Sequence, residues 1–151
     1  RTELNRLGFP VRNCITNAAP ENGMFSSIQA AATWQGWNPG LTHFVLALGD
    51  QPHLSLETLR LLLTSAGQNP DAIHQPAFNG RARHPVVFPA REFQVLMATE
   101  HSTLRDFLAA SKRSLINVID PGLDLDLDYP ADYHAACALT GQAVAQISES
   151  V

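Results

Sequence analysis

A single carboxylate follows directly on the most apolar stretch of the chain. Gly49 alone separates Asp50 from the run FVLAL at residues 44–48, and Gln51 and Pro52 follow Asp50. A carboxylate in that position lies at the carboxyl edge of a sheet, where burial without a partner is costly, so it requires a cation or several hydrogen-bond donors. Pro52 holds the preceding residue in an extended turn. Because Mg2+ binds one or two protein carboxylates together with substrate phosphates, Asp50 is a candidate metal ligand, and a loop-bracing aspartate is an equally good interpretation.

A second group of carboxylates alternates with leucine in the segment DLDLDYPAD near the end of the chain. An extended backbone there would place Asp124, Asp126 and Asp128 on one face and the two leucines on the other. Three such carboxylates repel one another, and a metal ion, a basic side chain or water must relieve the repulsion. The alternative is a solvated edge strand in which Asp128 caps the following helix. The solvated role is the better interpretation for Asp124 and Asp132, whereas both interpretations stay open for Asp126 and Asp128.

A helix start led by glycine offers hydrogen-bond donors to a ligand. The segment consists of Gly23, Met24, Phe25, Ser26 and Ser27. Exposed amides, two hydroxyls and the positive end of the helix dipole suit a base, ribose or phosphate group. Serines in the first turn of a helix usually act as caps, so the segment taken alone is better explained by structure.

Positive charge is concentrated in one loop of this acidic chain. Arg81, Arg83 and His84 fall within four positions, and Pro85 follows them. Guanidinium groups match the geometry of phosphate oxygens, so the loop suits an anionic substrate. The alternative is an exposed turn whose charges pair with surface acids, which contributes little to stability.

The elements that position these loops alternate between strand and helix. Strands are predicted at residues 11–16, 42–48, 72–78, 85–88 and 115–119, and helices at residues 2–7, 24–34, 56–66, 92–97, 103–110 and 130–147. A turn signal at Asn79 and Gly80 predicts a hairpin-like insertion between the strands at 72–78 and 85–88, Ser55 is the predicted N-cap of the helix at 56–66, and Pro130 opens the last helix. The run at 42–48 is continuously apolar, as expected for a strand buried on both faces of a parallel sheet. The alternation predicts an α/β protein, a three-layer α/β/α sandwich with a mostly parallel sheet. Ligands bind beyond the carboxyl ends of such strands, which directs attention to loops 17–23, 49–52 and 120–129.

The composition is that of an ordinary soluble globular protein. The chain has 151 residues, a net charge of -4, 45% hydrophobic residues and 16% charged residues. This length is sufficient for a single domain, residues 1–151, with its own core. The acidic total argues against nucleic-acid binding, and no stretch approaches the ~20 apolar residues that span a membrane. Cys14 and Cys137 match no CxxC pattern and are expected to be reduced thiols, so we expect a cytoplasmic location.

Four segments, GMFSSIQAA, LALGDQP, RHPVVF and LDLDYPADY, occur in an order that resembles the MobA-like nucleotidyltransferase family. The resemblance is to the branch that attaches CMP or GMP to the pterin of the molybdenum cofactor, and GDQP at residues 49–52 is its most specific part. It covers residues 11–135 and implies a Rossmann-like, glycosyltransferase-A-type fold. It also implies that Asp50 and Asp128 are catalytic and bind Mg2+, with Asp126 as a weaker ligand. The remaining implied residues are Gly23, Met24, Ser26, Ser27 and Gln51 for the nucleotide, and Arg81, Arg83, His84, Pro85 and Arg105 for the substrate.

The implied reaction is attack by a substrate phosphate on the α-phosphate of CTP or GTP, with pyrophosphate as the leaving group, and transfer of CMP is favoured over transfer of GMP. Positioning and charge neutralisation suffice for this chemistry, and no covalent nucleophile is required. The implied partners are the nucleoside triphosphate, a phosphorylated pterin cofactor, and a molybdoenzyme or its maturation chaperone. Two alternatives stay open, a sugar-1-phosphate nucleotidyltransferase on the same fold and a non-catalytic binding module.

The chain departs from the family pattern at its beginning. Family members open with a strand and a glycine-rich loop, LAAGxSxRMGxxK, that cradles the triphosphate, and these 151 residues contain neither. The opening TELNRLGFP is typical of the end of a helix. We therefore expect an N-terminally truncated domain that binds nucleotide weakly, as a shortened or proteolysed chain or as a degenerate paralogue.

Overall fold

The computed structural model describes residues 2–142, and the chain forms two compact units. The first unit comprises Arg1–Thr42 and Ala90–Ser111, and the second comprises His43–Pro89 and Lys112–Val151. In chain order the elements are α1 (Thr2–Arg6), α2 (Met24–Thr33), β1 (His43–Leu46), α3 (Leu56–Gln68), β2 (Ile73–Phe78), β3 (Arg81–Ala82), β4 (Val86–Pro89), α4 (Ala90–Val95), α5 (Leu104–Ala110), β5 (Arg113–Asn117) and α6 (Pro130–Thr140). The predicted α/β fold class is confirmed.

The longest helix of the first unit is α2. Its buried residues are Phe25, Ile28 and Ala32, whose spacing of three and four places them on one face of a helix. The Gln29 side-chain amide donates a hydrogen bond to the Leu96 carbonyl at 3.3 Å. This contact ties α2 to the turn that follows α4.

The strand predicted at residues 11–16 is wrong. A 3-10 turn occupies Val11–Asn13. The Asn13 N–H donates to the Pro10 carbonyl and the Cys14 N–H to the Val11 carbonyl, each at 2.9 Å. These local bonds occupy donors that a strand would give to a neighbouring strand.

The sheet of the second unit is mixed, which corrects the prediction of a mostly parallel sheet. β4 is antiparallel to both β1 and β2, and β3 is antiparallel to β2. Among the described strands, only β2 and β5 form a parallel pair. The physical reason is the turn at Asn79 and Gly80, whose positive φ angles of 50° and 73° reverse the chain. The reversal brings β4 back between β2 and β1.

The buried strands are β2 and β4, whereas β1 has an exposed face. Val45 of β1 is 48% exposed, so the prediction of a strand buried on both faces is wrong. Within the described sheet β1 pairs only with β4 and therefore lies at an edge. In the core, Leu62 and Ala66 of α3 pack on Val87 of β4, with Ile116 of β5 beside them.

The two long helices of the second unit begin where the sequence predicts. The Ser55 hydroxyl accepts a hydrogen bond from the Glu57 N–H at 3.2 Å and caps α3, which continues past Gly67. α6 begins at Pro130 and ends before Gly141, which is left-handed with φ 67°. The predicted continuation at residues 143–147 lies outside the described residues. No helix within residues 2–142 has the length and apolar character needed to cross a membrane.

Candidate functional site

The residues predicted to bind ligands are divided between the two units. The first unit holds Gly23, Met24, Ser26, Ser27 and Arg105, and the second holds Asp50, Gln51, Arg81, Arg83, His84, Pro85, Asp126 and Asp128. Both carboxylate groups and the basic loop therefore belong to one compact unit. Those three segments are far apart in the sequence, and the strands of the second unit bring them together.

The antiparallel pairing of β1 and β4 places the basic loop beside Asp50. Leu46 lies opposite Val86, so the chain leaving β1 toward Asp50 runs alongside the chain that enters β4 from His84. The His84 Nδ1 atom is 3.5 Å from the Leu46 carbonyl oxygen. A mixed sheet thus brings an imidazole to the end of the strand that carries the first carboxylate.

Two hydrogen bonds join the Asp50 loop to the second acidic segment. The Leu127 N–H donates to the backbone carbonyl of Asp50 at 2.9 Å. The Gln51 side-chain Nε2 donates to Asp126 Oδ1 at 2.7 Å. Asp50 and Asp126 are both exposed. Loops 49–52 and 120–129 therefore contact each other in the structure.

A buried carboxylate, which sequence reasoning did not single out, joins the segment before the acidic loop to the start of α3. Asp120 is 5% exposed and accepts hydrogen bonds from the Thr58 hydroxyl at 2.6 Å, the Gly122 N–H at 3.1 Å and the Ser55 N–H at 3.3 Å. His53 Nε2 lies 3.0 Å from the Gly122 carbonyl oxygen and donates to it. The sequence signal for Asp120 was its place before Pro121 and Gly122, a capping pattern at the end of a strand.

The environment of His84 favours the neutral imidazole. Burial lowers the pKa of His84 below its usual value, and this effect exceeds the opposing contributions of the Leu46 carbonyl and of the Asp126 and Asp50 charges. Because a carbonyl oxygen only accepts, Nδ1 carries the proton and Nε2 carries a lone pair. His84 therefore offers an acceptor close to two carboxylates.

The two arginines of the basic loop differ in their partners. Arg83 forms an ion pair with Asp124, in which Nε and one terminal nitrogen both contact Oδ1. Arg81 is exposed, and no acidic residue in the described part of the chain pairs with it. Arg83 therefore matches the alternative interpretation of the basic loop, in which its charges pair with surface acids. Arg81 remains available to an anionic ligand.

The alternation predicted for the acidic segment is present. Asp124, Asp126 and Asp128 are exposed, and the leucines between them are half-buried. Asp128 does not cap α6, because the Asp132 carboxylate accepts from the Tyr129 N–H at 2.7 Å and the Asp128 N–H at 3.2 Å. The Asp128 carboxylate accepts no hydrogen bond from the described residues.

The described carboxylates do not form a metal site by themselves. Within residues 2–142, no group of three or more His, Cys, Asp or Glu side chains could hold a metal ion. The donor set nevertheless fits Mg2+, which prefers oxygen ligands and keeps several positions for water and substrate phosphates. Asp50, like Asp128, accepts no side-chain hydrogen bond within the described residues, so both carboxylates are free to bind a cation.

The glycine-led segment of the first unit is organised by a residue that the sequence analysis did not select. Asn17 Nδ2 donates to the Ser26 hydroxyl at 2.7 Å and the Ser27 hydroxyl at 3.0 Å. Ser26 in turn donates to the Gly23 carbonyl at 2.7 Å. Met24 is 62% exposed at the start of the helix. The serines therefore brace the loop before α2, and the exposed Met24 and the Gly23 backbone are the parts open to a ligand.

Most of the chain matches a known protein family. A family model, the MobA-like NTP transferase domain, matches residues 1–115, which is more than half of the chain. The match includes Asp50 and the basic loop but ends before Asp126 and Asp128. No curated protein matches the chain. The matched residues include the loop after β1 that carries Asp50, and His84 beside it. The chain belongs to the MobA-like NTP transferase domain family.

Proposed function

We propose that this nucleotidyltransferase domain transfers CMP or GMP from CTP or GTP to a phosphorylated pterin of the molybdenum cofactor type, with release of pyrophosphate. The observation that carries the proposal is the meeting of the Asp50 and Asp126 loops beside His84 in one compact unit. The choice of pterin as acceptor is supported by the resemblance of GDQP and RHPV, at residues 49–52 and 83–86, to the branch that uses it.

Mg2+ is the proposed cofactor, held by Asp50 and Asp128 with Asp126 as the weaker ligand. When bound, Mg2+ would neutralise charge on the triphosphate and on the pyrophosphate that leaves. The two carboxylates without hydrogen-bond partners are suited to this role because nothing within the described residues has to be displaced from them. Asp126 is the weaker ligand because Oδ1 already accepts a hydrogen bond from Gln51, whereas no side chain of the described residues donates to Oδ2.

The other residues of the chain would bind and orient the two substrates. Arg81, exposed and without an acidic partner in the described part of the chain, is suited to a substrate phosphate. His84 Nε2, which carries a lone pair, is suited to accept a hydrogen bond from the acceptor. In the first unit, taken by itself, Gly23 and Met24 stay predicted nucleotide contacts, on a loop that Asn17 holds in place. Catalysis would then rest on positioning and electrostatics.

Isothermal titration calorimetry on the 151-residue chain tests the proposal. CTP, GTP and ATP are titrated with and without Mg2+ into the unaltered chain, Asp50→Asn and the control Asp71→Asn. Asp71 is an exposed aspartate of the same unit that accepts no hydrogen bond from the described residues. We expect binding of CTP or GTP that requires Mg2+, a loss of at least about tenfold in affinity in Asp50→Asn, and no change in Asp71→Asn.

The acceptor is tested by pyrophosphate release with molybdopterin or with a sugar 1-phosphate. Release with the pterin supports the proposal, and release with the sugar phosphate alone identifies a sugar-1-phosphate nucleotidyltransferase. Nucleotide binding that is independent of Mg2+ and unaffected by Asp50→Asn would refute the role of Asp50. A folded chain that binds none of the three nucleotides would be a non-catalytic module.

A further inference from the structure

The Gln51 side chain is buried between the two acidic loops. It is 5% exposed although it follows the exposed Asp50 directly in the sequence. Its Nε2 atom donates to Asp126 Oδ1 at 2.7 Å, a short hydrogen bond to a charged acceptor. Among the described residues, Gln51 is the only side chain that donates to Asp126. The rotamer of the Asp126 carboxylate therefore depends on this contact.

The orientation of the Gln51 amide is fixed by the chemistry of its partner. A flipped amide would set Oε1 against the carboxylate, and two acceptors facing each other repel. With Nε2 toward Asp126, the Oε1 atom is buried and has no hydrogen-bond partner within the described residues. A buried acceptor without a donor destabilises the folded state. An apolar side chain of similar size would avoid that cost, so stability alone does not explain a glutamine at this position.

The loops do not depend on Gln51 for their contact. The backbone bond from the Leu127 N–H to the Asp50 carbonyl joins them independently of any side chain. Asp120 and His53 add further contacts between the two segments. Loss of the Gln51 amide would therefore release the Asp126 carboxylate and leave the loops together.

We propose that Gln51 is a positioning residue, which would orient the Asp126 carboxylate for binding of the cation, at a cost to the stability of the fold. This inference rests on the proposed function, because the cation belongs to it. Groups that orient a metal ligand through a hydrogen bond typically account for a factor of 10 to 100 in metal affinity. We expect a loss in this range when the Gln51 amide is removed.

The test measures metal affinity and stability in the same variants. Mn2+ serves as the probe, titrated without nucleotide and followed by electron paramagnetic resonance, and urea unfolding gives the midpoint. In Gln51→Leu we expect Mn2+ binding to be weakened about tenfold or more and the urea midpoint to stay equal or rise. In the Asp126→Asn background, Gln51→Leu should cause no further loss of Mn2+ affinity.

Gln75→Leu is the matched control for stability. Gln75 is 4% exposed, but both ends of its amide have partners, since Oε1 accepts from Arg113 at 3.3 Å and Nε2 donates to the Arg83 carbonyl at 3.4 Å. The same substitution should therefore lower the urea midpoint at Gln75 and not at Gln51. A lowered midpoint in Gln51→Leu, or unchanged Mn2+ affinity, would overturn the inference.

A second measurement separates this inference from the proposed function. If the unaltered chain binds no Mn2+, the proposed metal site fails, and the exchange rate of the Gln51 side-chain amide protons, measured by NMR, decides the positioning role. Slow exchange that accelerates severalfold in Asp126→Ala would show that the amide holds the carboxylate. Equal rates in both proteins would overturn the inference.

Discussion

Removal of the Asp120 carboxylate should destabilise the second unit more than any exposed substitution in it. Asp120 lies three residues after β5 and caps the 3-10 turn at Pro121–Asp124. Its two oxygens accept from one hydroxyl and two backbone N–H groups, which belong to Thr58, Gly122 and Ser55. The Asp120→Ala variant removes all three acceptor contacts at once and adds no atoms that could clash.

The magnitude follows from the donors that would be left unpaired. Thr58 is 3% exposed and Gly122 is buried, and a buried donor without an acceptor costs about 1–3 kcal/mol. Two such donors lower the free energy of unfolding by about 2–6 kcal/mol. Part of this loss is offset because the variant no longer has to bury a charged carboxylate. We expect a net loss of about 3 kcal/mol in the free energy of unfolding, and about half of that in Asp120→Asn, which keeps one acceptor oxygen. Since small domains are stable by about 5–15 kcal/mol, the effect is measurable without complete unfolding.

Urea unfolding followed by far-UV circular dichroism measures this loss. The control is Asp71→Ala, an exposed aspartate in the same unit, for which we expect a change within about 0.5 kcal/mol. Hydrogen exchange of the Gly122 amide should become faster in Asp120→Ala, because its acceptor is gone. A loss below about 1 kcal/mol, with unchanged exchange at Gly122, would refute the conclusion that Asp120 holds its segment to the start of α3.

Two further predictions concern pH and backbone geometry. Burial lowers the pKa of His84 from the usual 6.5, so the contribution of the neutral imidazole to stability is complete above pH 6.5 and is lost as the pH falls below it. The urea midpoint of the unaltered chain should therefore drop between pH 7.5 and 5.5 more than that of His84→Gln. Equal drops in the two proteins would contradict the lowered pKa of His84. Gly23 has φ 84° and ψ 179°, a region open essentially only to glycine, and an added Cβ would meet no atom within 4 Å. Gly23→Ala should therefore lower the free energy of unfolding by about 1–3 kcal/mol through backbone strain alone. Gly67→Ala, in α3 with free space around it, is the control and should not lower the thermal midpoint.

The sequence predicted most elements of the fold because their signals are local. Ser55 capping α3, Pro130 opening α6 and the turn at Asn79 and Gly80 all depend on side chains acting within a few residues. The sheet topology was predicted less well. Alternation of strands and helices indicates parallel pairing, but the tight turn at Gly80 returns β4 antiparallel between β2 and β1, and only the assembled sheet decides which neighbour a strand selects.

In the candidate site, too, some features could be predicted from the sequence and others depended on the tertiary structure. The sequence by itself identified Asp50, the alternating aspartates and the basic loop, because chemical type and position after a strand can be recognised in a string of residues. Only the tertiary structure decided that Asp124 is paired with Arg83 and Asp126 is held by Gln51. The physical reason is that a hydrogen bond is specific over a few ångströms, and residues 75 positions apart in the chain reach that distance only after the sheet has formed.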